Sequence, residues 1–395
     1  MAKNSVHIYT CLLMSSIAHF DADAFFASVE QAADTRLRQR PVAVGGGARG
    51  VVTSASYEAR VFGIHSAMPT RRALQLCPGL TVIRGQFELY ERFSNQLFDM
   101  CTDMSPHVEQ TSIDEGYIDF RGRSGGPEAA IHMLREFDKD VCGWLKITVS
   151  CGMAARKRVA QIAGKAHKPH GFTVVPPGSE AAFLAPLRLR HLPGVGPVSA
   201  QQLEGIGLRT IGDMVRAGAD ILYPILGKRS QDLLEVARGE EEEPVSTESP
   251  PAKSFGGQET FGDETGNEQF VERSLKDLLV AQLKRLRRAR QCARTLTVAL
   301  RYSDMEFAQS SRSLREPSNL DPVFFPYVRP LMRQAWQRRV RLNQIRVQLA
   351  NLYPDWIQGD LFNPGQLQQY EICKMADQID AQFGKGTLKR ASQLG

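Results

Sequence analysis

The chain has 395 residues, 42 % hydrophobic and 23 % charged, which excludes a wholly disordered or fibrous protein and leaves room for roughly two to four domains. Its 49 Lys and Arg exceed its 43 Asp and Glu for a formal charge of +6, an excess so small that its placement matters more than its total. No apolar run is long enough to span a bilayer, and seven scattered cysteines with no C-x-x-C pair speak against a disulfide framework or zinc site and for a reducing, cytoplasmic setting.

His7–Ile17 is apolar behind one Lys but lacks a clear small-residue cleavage site and runs straight into a core strand, so a secretion signal is not expected; a start at Met1 and a non-native upstream start, with Met14 the real one, both stay open. Ser16–Asp21 reads as a short buried strand and Phe25–Ala33 as a helix. Strands are expected at Pro41–Val44 and Val51–Ser54, separated by the turn glycines Gly45–Gly47, which no Gly-Lys-Ser/Thr follows and which are therefore no phosphate loop. Helical stretches at Tyr57–Phe62 and Pro69–Leu76, a strand at Leu80–Ile83 and a long amphipathic helix at Glu88–Met104 come next. Val108–Gln110 and Gly116–Phe120 read as strands flanking a turn that holds Ser112-Ile113-Asp114-Glu115. A helix at Glu128–Val141, a strand at Ile147–Gly152 and a helix at Arg156–Ala166 complete one α/β or α+β unit that ends near residue 177.

Short helices alone are expected from Phe183 to Arg238. The acidic and then Pro/Ser/Thr-rich run Glu240–Pro251 has the composition of a linker. Beyond it a separate α+β module is expected, with a helix at Glu268–Arg290, a strand at Thr295–Tyr302, a helix near Phe325–Val340 and a strand at Ile345–Leu352. A tail from Trp356 carries one more helical stretch near Gln366–Phe383.

Two acidic pairs carry the chemistry. Asp21 and Asp23 end a buried strand and point to one face, since side chains alternate along a strand. Two carboxylates so placed repel unless a cation lies between them. Asp114-Glu115 lies in a turn between two strands about ninety residues later. On adjacent strands of one sheet, the pairs suit two Mg²⁺ ions about 3.5–4 Å apart, because hard oxygen ligands and substrate phosphates match Mg²⁺. The matching reaction is in-line phosphoryl or nucleotidyl transfer.

At these positions His19-Phe20-Asp21-Ala22-Asp23-Ala24-Phe25-Phe26-Ala27-Ser28-Val29-Glu30 resembles the opening motif of the Y-family DNA polymerases, and Ser112-Ile113-Asp114-Glu115-Gly116-Tyr117-Ile118-Asp119 their second catalytic motif. The likeness runs from about Ile17 to Leu352 and points to the DinB-type (DNA polymerase IV) branch. It implies an α+β multidomain right-hand polymerase. The palm would span 15–177 with small fingers inserted at about 25–86, followed by a helix-hairpin-helix thumb at 178–243. A linker at 244–254, an α+β little finger that binds DNA at 255–355 and a tail at 356–395 would complete the chain.

The resemblance implies that Asp21, Asp114 and Glu115 bind the two Mg²⁺ with help from the Ala22 carbonyl. Glu115 is then also the catalytic acid and Asp23 a supporting group. Two departures, Ala22 and Gly116, are to small residues and leave every carboxylate in place. Phe26 is expected to exclude a 2′-hydroxyl as the steric gate. Tyr57 and Arg60, three residues apart on one helical face, are expected with Lys168 on the incoming triphosphate.

Leu192-Pro193-Gly194-Val195-Gly196-Pro197-Val198-Ser199-Ala200 resembles a helix-hairpin-helix, in which Gly194 and Gly196 let backbone N–H groups meet a DNA phosphate. Residues 271–301 hold nine Lys or Arg against two acids, and 324–346 hold six Arg and no acid, which favours phosphate binding by the last module. Gln358-Gly359-Asp360-Leu361-Phe362 resembles the bacterial sliding-clamp-binding pentapeptide, with Gln358, Leu361 and Phe362 as its anchors. The expected function is template-directed, low-fidelity translesion synthesis by a monomer acting on primer-template DNA and deoxynucleoside triphosphates, without proofreading. A catalytically silent polymerase-like DNA-binding scaffold, a nucleotidyl cyclase and a partner-dependent translesion polymerase are the rival readings.

Overall fold

The computed structural model describes residues 17–47, 50–248, 251–355, 364–384 and 387. The N-terminal stretch before Ile17 and the pentapeptide Gln358–Phe362 lie outside these. The chain divides into two compact units that part between residues 249 and 250. Among the described residues no helix is long and apolar enough to cross a membrane.

The first unit is built on a five-stranded sheet in the order β5-β6-β1-β7-β8, formed by β1 (Ile17–Ala22), β5 (Val108–Gln110), β6 (Glu115–Asp119), β7 (Val149–Ala154) and β8 (Phe172–Val174). A smaller sheet, β3-β2-β4, is formed by β2 (Val42–Gly45), β3 (Val52–Ala55) and β4 (Thr81–Ile83). The helices of this unit are α1 (Phe25–Ala33), α2 (Tyr57–Arg60), α3 (Thr70–Leu76), α4 (Phe87–Met104), α5 (Gly126–Asp140) and α6 (Lys157–Ala166), then α7 (Glu180–Leu184), α8 (Pro197–Gly205), α9 (Ile211–Leu226) and α10 (Arg229–Arg238).

β1 is central and every one of its residues is buried, so its two faces serve different partners. Ala18, Phe20 and Ala22 face the core under α4 and α5, where Phe20 meets Phe98 and Phe137 edge-on at 5.3 and 5.6 Å. Ile17 lies in the second core with Val159, Ile162 and Ala163 of α6. By the two-residue period, His19 and Asp21 share that α6 side. α6 sits close on the sheet because β7 offers a glycine there. A Cβ on Gly152 would fall 2.0 Å from the Gly164 nitrogen and 2.3 Å from the Ala160 oxygen, both backbone atoms.

The acidic run read as a linker is partly a strap. Glu241 is buried and accepts the Arg158 backbone N–H at 2.7 Å. The buried Lys157 ammonium binds Glu243 at 2.7 Å and Glu109 at 2.8 Å. Opposite charges at Arg156–Arg158 hold residues that composition alone assigns to solvent.

The second unit has one sheet, β11-β10-β12-β9, of β9 (Ser254–Thr265), β10 (Gln291–Tyr302), β11 (Phe307–Ser318) and β12 (Leu342–Pro354). The helices α11 (Glu268–Arg288) and α12 (Asp321–Ala335) join it in one core, and α13 (Pro364–Phe383) follows. Leu275, Leu279, Leu283 and Leu286 of α11 and Phe324, Val328 and Met332 of α12 meet Leu296, Val298, Ile345 and Val347.

The sequence reading lacks β8, β9 and β11. All three are outermost strands of their sheets. β9 and β11 are largely polar and exposed, with sequences SFGGQETFGDET and FAQSSRSLREPS. Backbone pairing to a strong neighbour sustains such strands without the β-branched alternation that marks a half-buried one. α12 begins at Asp321 rather than Phe325 and stops at Ala335, before the expected end at Val340.

Because the Gly152 clash is with backbone, Gly152→Ala is expected to lower the stability of the first unit by roughly 3 kcal/mol, the upper end for overpacking. The control Gly205→Ala, whose Cβ meets nothing within 4 Å, is expected to be near neutral. Urea midpoints for the two variants measure the difference.

Candidate active site

Antiparallel pairing sets Asp21 of β1 opposite Glu115 of β6 on one side and Ser150 of β7 on the other. The Ala22 N–H donates to the Asp114 carbonyl at 2.9 Å, so both acidic motifs are joined through main chain. α6 and the loop after it supply the counter-charge. The Lys165 ammonium lies 2.7 Å from Glu115 Oε2 and 3.7 Å from Asp21 Oδ2, while Lys168 Nζ donates to Asp21 Oδ1.

These surroundings split the two carboxyls. Burial pushes Asp21 up to about 6, against the opposing pull of Lys168 and Lys165. The His19 ring, whose Nε2 lies 3.7 Å away, and then the Lys165 ammonium hold Glu115 well below the usual carboxylate range. Burial in turn lowers His19 and favours its neutral form.

Asp114 stands differently from expectation. Its carboxylate accepts the Ser112 hydroxyl, and the three groups Asp21, Asp114 and Glu115 do not all come within 4.8 Å of one another. Main chain brings the turn to β1, but the Asp114 side chain is held by Ser112, whose Oγ also accepts the Asp114 and Glu115 N–H groups at 3.2 Å. The donor set still fits a divalent cation. The buried Asp21 and half-buried Glu115 carboxylates come from directly paired residues, and hard oxygens are the ligands such ions take.

Asp23 is an anchor, almost fully buried. It accepts Ser150 Oγ and Thr148 Oγ1, each at 2.9 Å, and the His170 N–H at 2.7 Å. Tyr57 opens α2 after β3. Its hydroxyl is buried without a hydrogen-bond partner and pushed up to about 12 by burial, then by the charges of Asp23 and Asp21. The Arg60 guanidinium lies 4.4 Å from the Tyr57 ring centroid and its Nε donates to the Ala55 carbonyl at 3.0 Å. Tyr57 and Lys168 thus gather at the Asp21–Asp23 edge, and Arg60 is held against Tyr57.

Phe26, half-buried in the first turn of α1, stacks on Tyr90 at 4.5 Å and meets Phe87 edge-on at 5.9 Å. Tyr90 is fixed in turn by donating to Glu30 Oε1 at 2.6 Å. Sequence reasoning missed Lys165, Tyr90 and the Thr148/Ser150 cradle. Lys165 alone left a signal, lying three residues before Lys168.

The impB/mucB/samB family model matches residues 20–165, and the model of that family's C-terminal domain matches 252–361. DNA polymerase IV of Opitutus terrae is 37 % identical over 388 residues, covering 97 % of this chain and 98 % of that one. The chain belongs to the Y-family DNA polymerases, in the DinB-type branch. DNA polymerase IV of Halorhodospira halophila is 36 % identical over 351 residues, 88 % of this chain and 98 % of that one. A solved Y-family polymerase chimera of Dbh and Dpo4 superposes with a TM-score of 0.78 at 26 % identity, covering 86 % of this chain and 99 % of the other. An insertion ternary complex of Dbh DNA polymerase gives 0.62 at the same identity and coverage.

Two further features of this Y-family chain bear on the expected DNA contacts. Gly194 has φ 97°, in the left-handed region, and Gly196 caps α8, whose N-terminal turn begins at Pro197. In the second unit, much of the basic charge on the helices is already paired. Arg287 binds Asp377 and Asp321, Lys284 binds Asp380 and Arg333 binds Glu268.

The polar sheet face has a different character. Register puts Arg301 beside Gln344 and Thr260, Arg346 beside Gln258, and Thr297 beside Gln348, with no carboxylate in these rows. Arg301 Nε is buried without a hydrogen-bond partner. Counting Lys and Arg along the sequence put the emphasis on the helices, because the acids that neutralise them lie far away in the chain.

A carboxyl with a raised folded pKa favours the native state while protonated. Stability therefore falls as pH rises from the ordinary Asp value through about 6, and the cost persists above it. Asp21→Asn is expected to raise the metal-free melting temperature at pH 7.5, by at most about 3 kcal/mol in stability for a shift of about two pH units, with no gain at pH 4. Added Mg²⁺ is expected to stabilise the parent and not the variant. For DNA, removing both Arg301 and Arg346 is expected to flatten the slope of log affinity against log salt by about 2, checked by binding titrations over a salt series.

Proposed function

We propose that this chain adds deoxynucleotides to a primer 3′-end on a DNA template, as a low-fidelity translesion polymerase without proofreading. The observation that carries the reading is the pairing of Asp21 with Glu115 under Lys165 and Lys168. We assign residues 15–177 as palm, with fingers at about 25–86. Residues 178–243 are the thumb, 244–254 the linker, 255–355 the little finger and 356–395 the tail.

Asp21, Asp114 and Glu115, with the Ala22 carbonyl, would hold two Mg²⁺, which when bound supply a nucleophilic 3′-oxygen and neutralise the triphosphate. The protein's own groups do the positioning. Lys168, Arg60 and Tyr57 receive the triphosphate, whose charge gives the buried Tyr57 hydroxyl an acceptor. Lys165 and Lys168 would exchange carboxylate partners for phosphate oxygens as the cations take over the carboxylates, so no charge is left without a partner. Ionised Glu115 is then free to hold cation, and Asp23 keeps β1, β7 and the Lys168 loop together. Phe26, braced by Tyr90, presents a fixed ring edge to the sugar, so a 2′-hydroxyl meets a wall that cannot yield.

Gly194 and Gly196 offer backbone N–H groups to a DNA phosphate, and the open sheet face of the second unit follows the backbone. Gln358, Leu361 and Phe362 dock on the bacterial sliding clamp, and the polymerase acts as a monomer.

Primer extension with purified protein tests the reading. Asp21→Ala, Asp114→Ala and Glu115→Ala are each expected to abolish extension while DNA binding persists. Turnover surviving in all three would refute the site. Phe26→Ala is expected to raise ribonucleotide incorporation at least tenfold, the scale of losing one exclusion contact, read by single-nucleotide kinetics. Deleting Gln358–Phe362 is expected to remove stimulation by the clamp and leave basal extension, measured on primed circular DNA with and without clamp.

A further inference from the structure

We propose that Asp138, Cys142 and His170 form a second cation site, for a borderline-soft divalent ion of the Zn²⁺ class, separate from the polymerase carboxylates. His170 Nε2 lies 3.0 Å from Asp138 Oδ1 and 3.1 Å from Oδ2, and the Cys142 sulfur lies 3.8 Å from Nε2 and 4.0 Å from Oδ1. It is the one group of three such donors among the described residues whose ligand atoms all lie within 4.8 Å. A tetrahedral ion bound at about 2.0 Å to nitrogen and oxygen and about 2.3 Å to sulfur needs its ligands roughly 3.3–3.6 Å apart. The observed triangle meets that with shifts of a few tenths of an ångström.

The chain builds the triangle from two places. Asp138 lies in the last turn of α5 and Cys142 in the π-helical turn Val141–Leu145 that continues it. Residues four apart on a helix share a face. His170 comes from the loop before β8, with left-handed backbone (φ 52°) and its N–H fixed on Asp23 Oδ2. His170 is half-exposed, so solvent reaches the fourth position.

A nucleophilic thiol–imidazole–carboxylate triad does not fit. In a triad the base meets its nucleophile and its carboxylate through opposite ring nitrogens, whereas here Nε2 faces both. Thiolate and imidazole together select Zn²⁺ or Co²⁺ over Mg²⁺, so the site does not compete for the ion that the palm needs. Cys142 is held as a thiol by burial and then by Asp138. Binding therefore forms a metal–sulfur bond and releases one proton from sulfur to solvent, with no change of oxidation state. The ion ties α5 to the loop that carries Lys168 and that anchors Asp23.

The test is titration of the full chain with Co²⁺ in Mg²⁺ buffer. The expected result is a thiolate-to-cobalt charge-transfer band with tetrahedral visible bands, saturating at one ion per chain and erased by one equivalent of Zn²⁺. Cys142→Ser is expected to lose the charge-transfer band. His170→Ala, which keeps the backbone N–H to Asp23, is expected to bind at least about tenfold more weakly. Cys142→Ser is expected to retain primer extension in Mg²⁺. The absence of a thiolate band in the parent, or a band that survives Cys142→Ser, would overturn the proposal.

Discussion

Asp21, buried, and Glu115, its half-buried register partner, can share a site in ionised form only if positive charge is present between them. In this structure Lys165 and Lys168 provide it; under the proposed function, divalent cations and a triphosphate would exchange with them. The asymmetry in proton affinity follows from geometry. Glu115 has His19 and Lys165 at hand, whereas the burial of Asp21 outweighs its lysines. A site that is costly without its cation is one that holds it well, because ligation relieves the electrostatic penalty as well as forming bonds. The cost is tolerated because every neighbouring element is fixed by something other than the acids themselves.

Those fixtures are apolar and backbone contacts. Phe20 faces the opposite side of β1 from Asp21 and packs against Phe98 and Phe137. A one-residue slip of β1 would therefore bury the acids in the core and expose the ring. Gly152 lets α6 approach until Lys165 reaches both carboxylates. Gly116 is needed for a related reason, since a Cβ there would stand 2.6 Å from the Glu109 oxygen and 2.9 Å from the Phe98 ring. The departure to glycine at position 116 is thus matched to the bulk of its surroundings, and Ala22 lies buried in the same core as Phe20.

What the sequence made legible was whatever chemistry and hydrophobic pattern concentrate in a few contiguous residues. The strands around Asp21 and Asp114, the long helices and the break between the units are of this kind. What stayed hidden depends on pairs distant in the chain. Lys165 gains meaning only once α6 lies over β1. The strap at Glu241–Glu243 becomes structure only against Arg156–Arg158, and β9 and β11 are strands only because β12 and β10 complete their hydrogen bonds. The Asp138–Cys142–His170 cluster belongs to the same class. Cysteine spacing argued against a zinc-type site because it tests for paired cysteines, and a ligand set with one sulfur, one nitrogen and one oxygen leaves no such spacing.

The same distinction bears on the charge that the second unit offers to a DNA backbone. A basic helix whose guanidiniums already hold carboxylates releases few counterions on meeting a phosphate, so its formal charge overstates its contribution. Arg287, bound to both Asp377 and Asp321, is structural on this count. The sheet face offers Arg301 and Arg346 among hydroxyl and amide groups with no acid in the rows between them. Such a surface binds through few ionic contacts and many neutral hydrogen bonds, which follow a sugar-phosphate backbone without reading bases. A polymerase that must accept distorted templates needs that kind of grip. Contacts that ignore base identity keep most of their strength when the base is damaged.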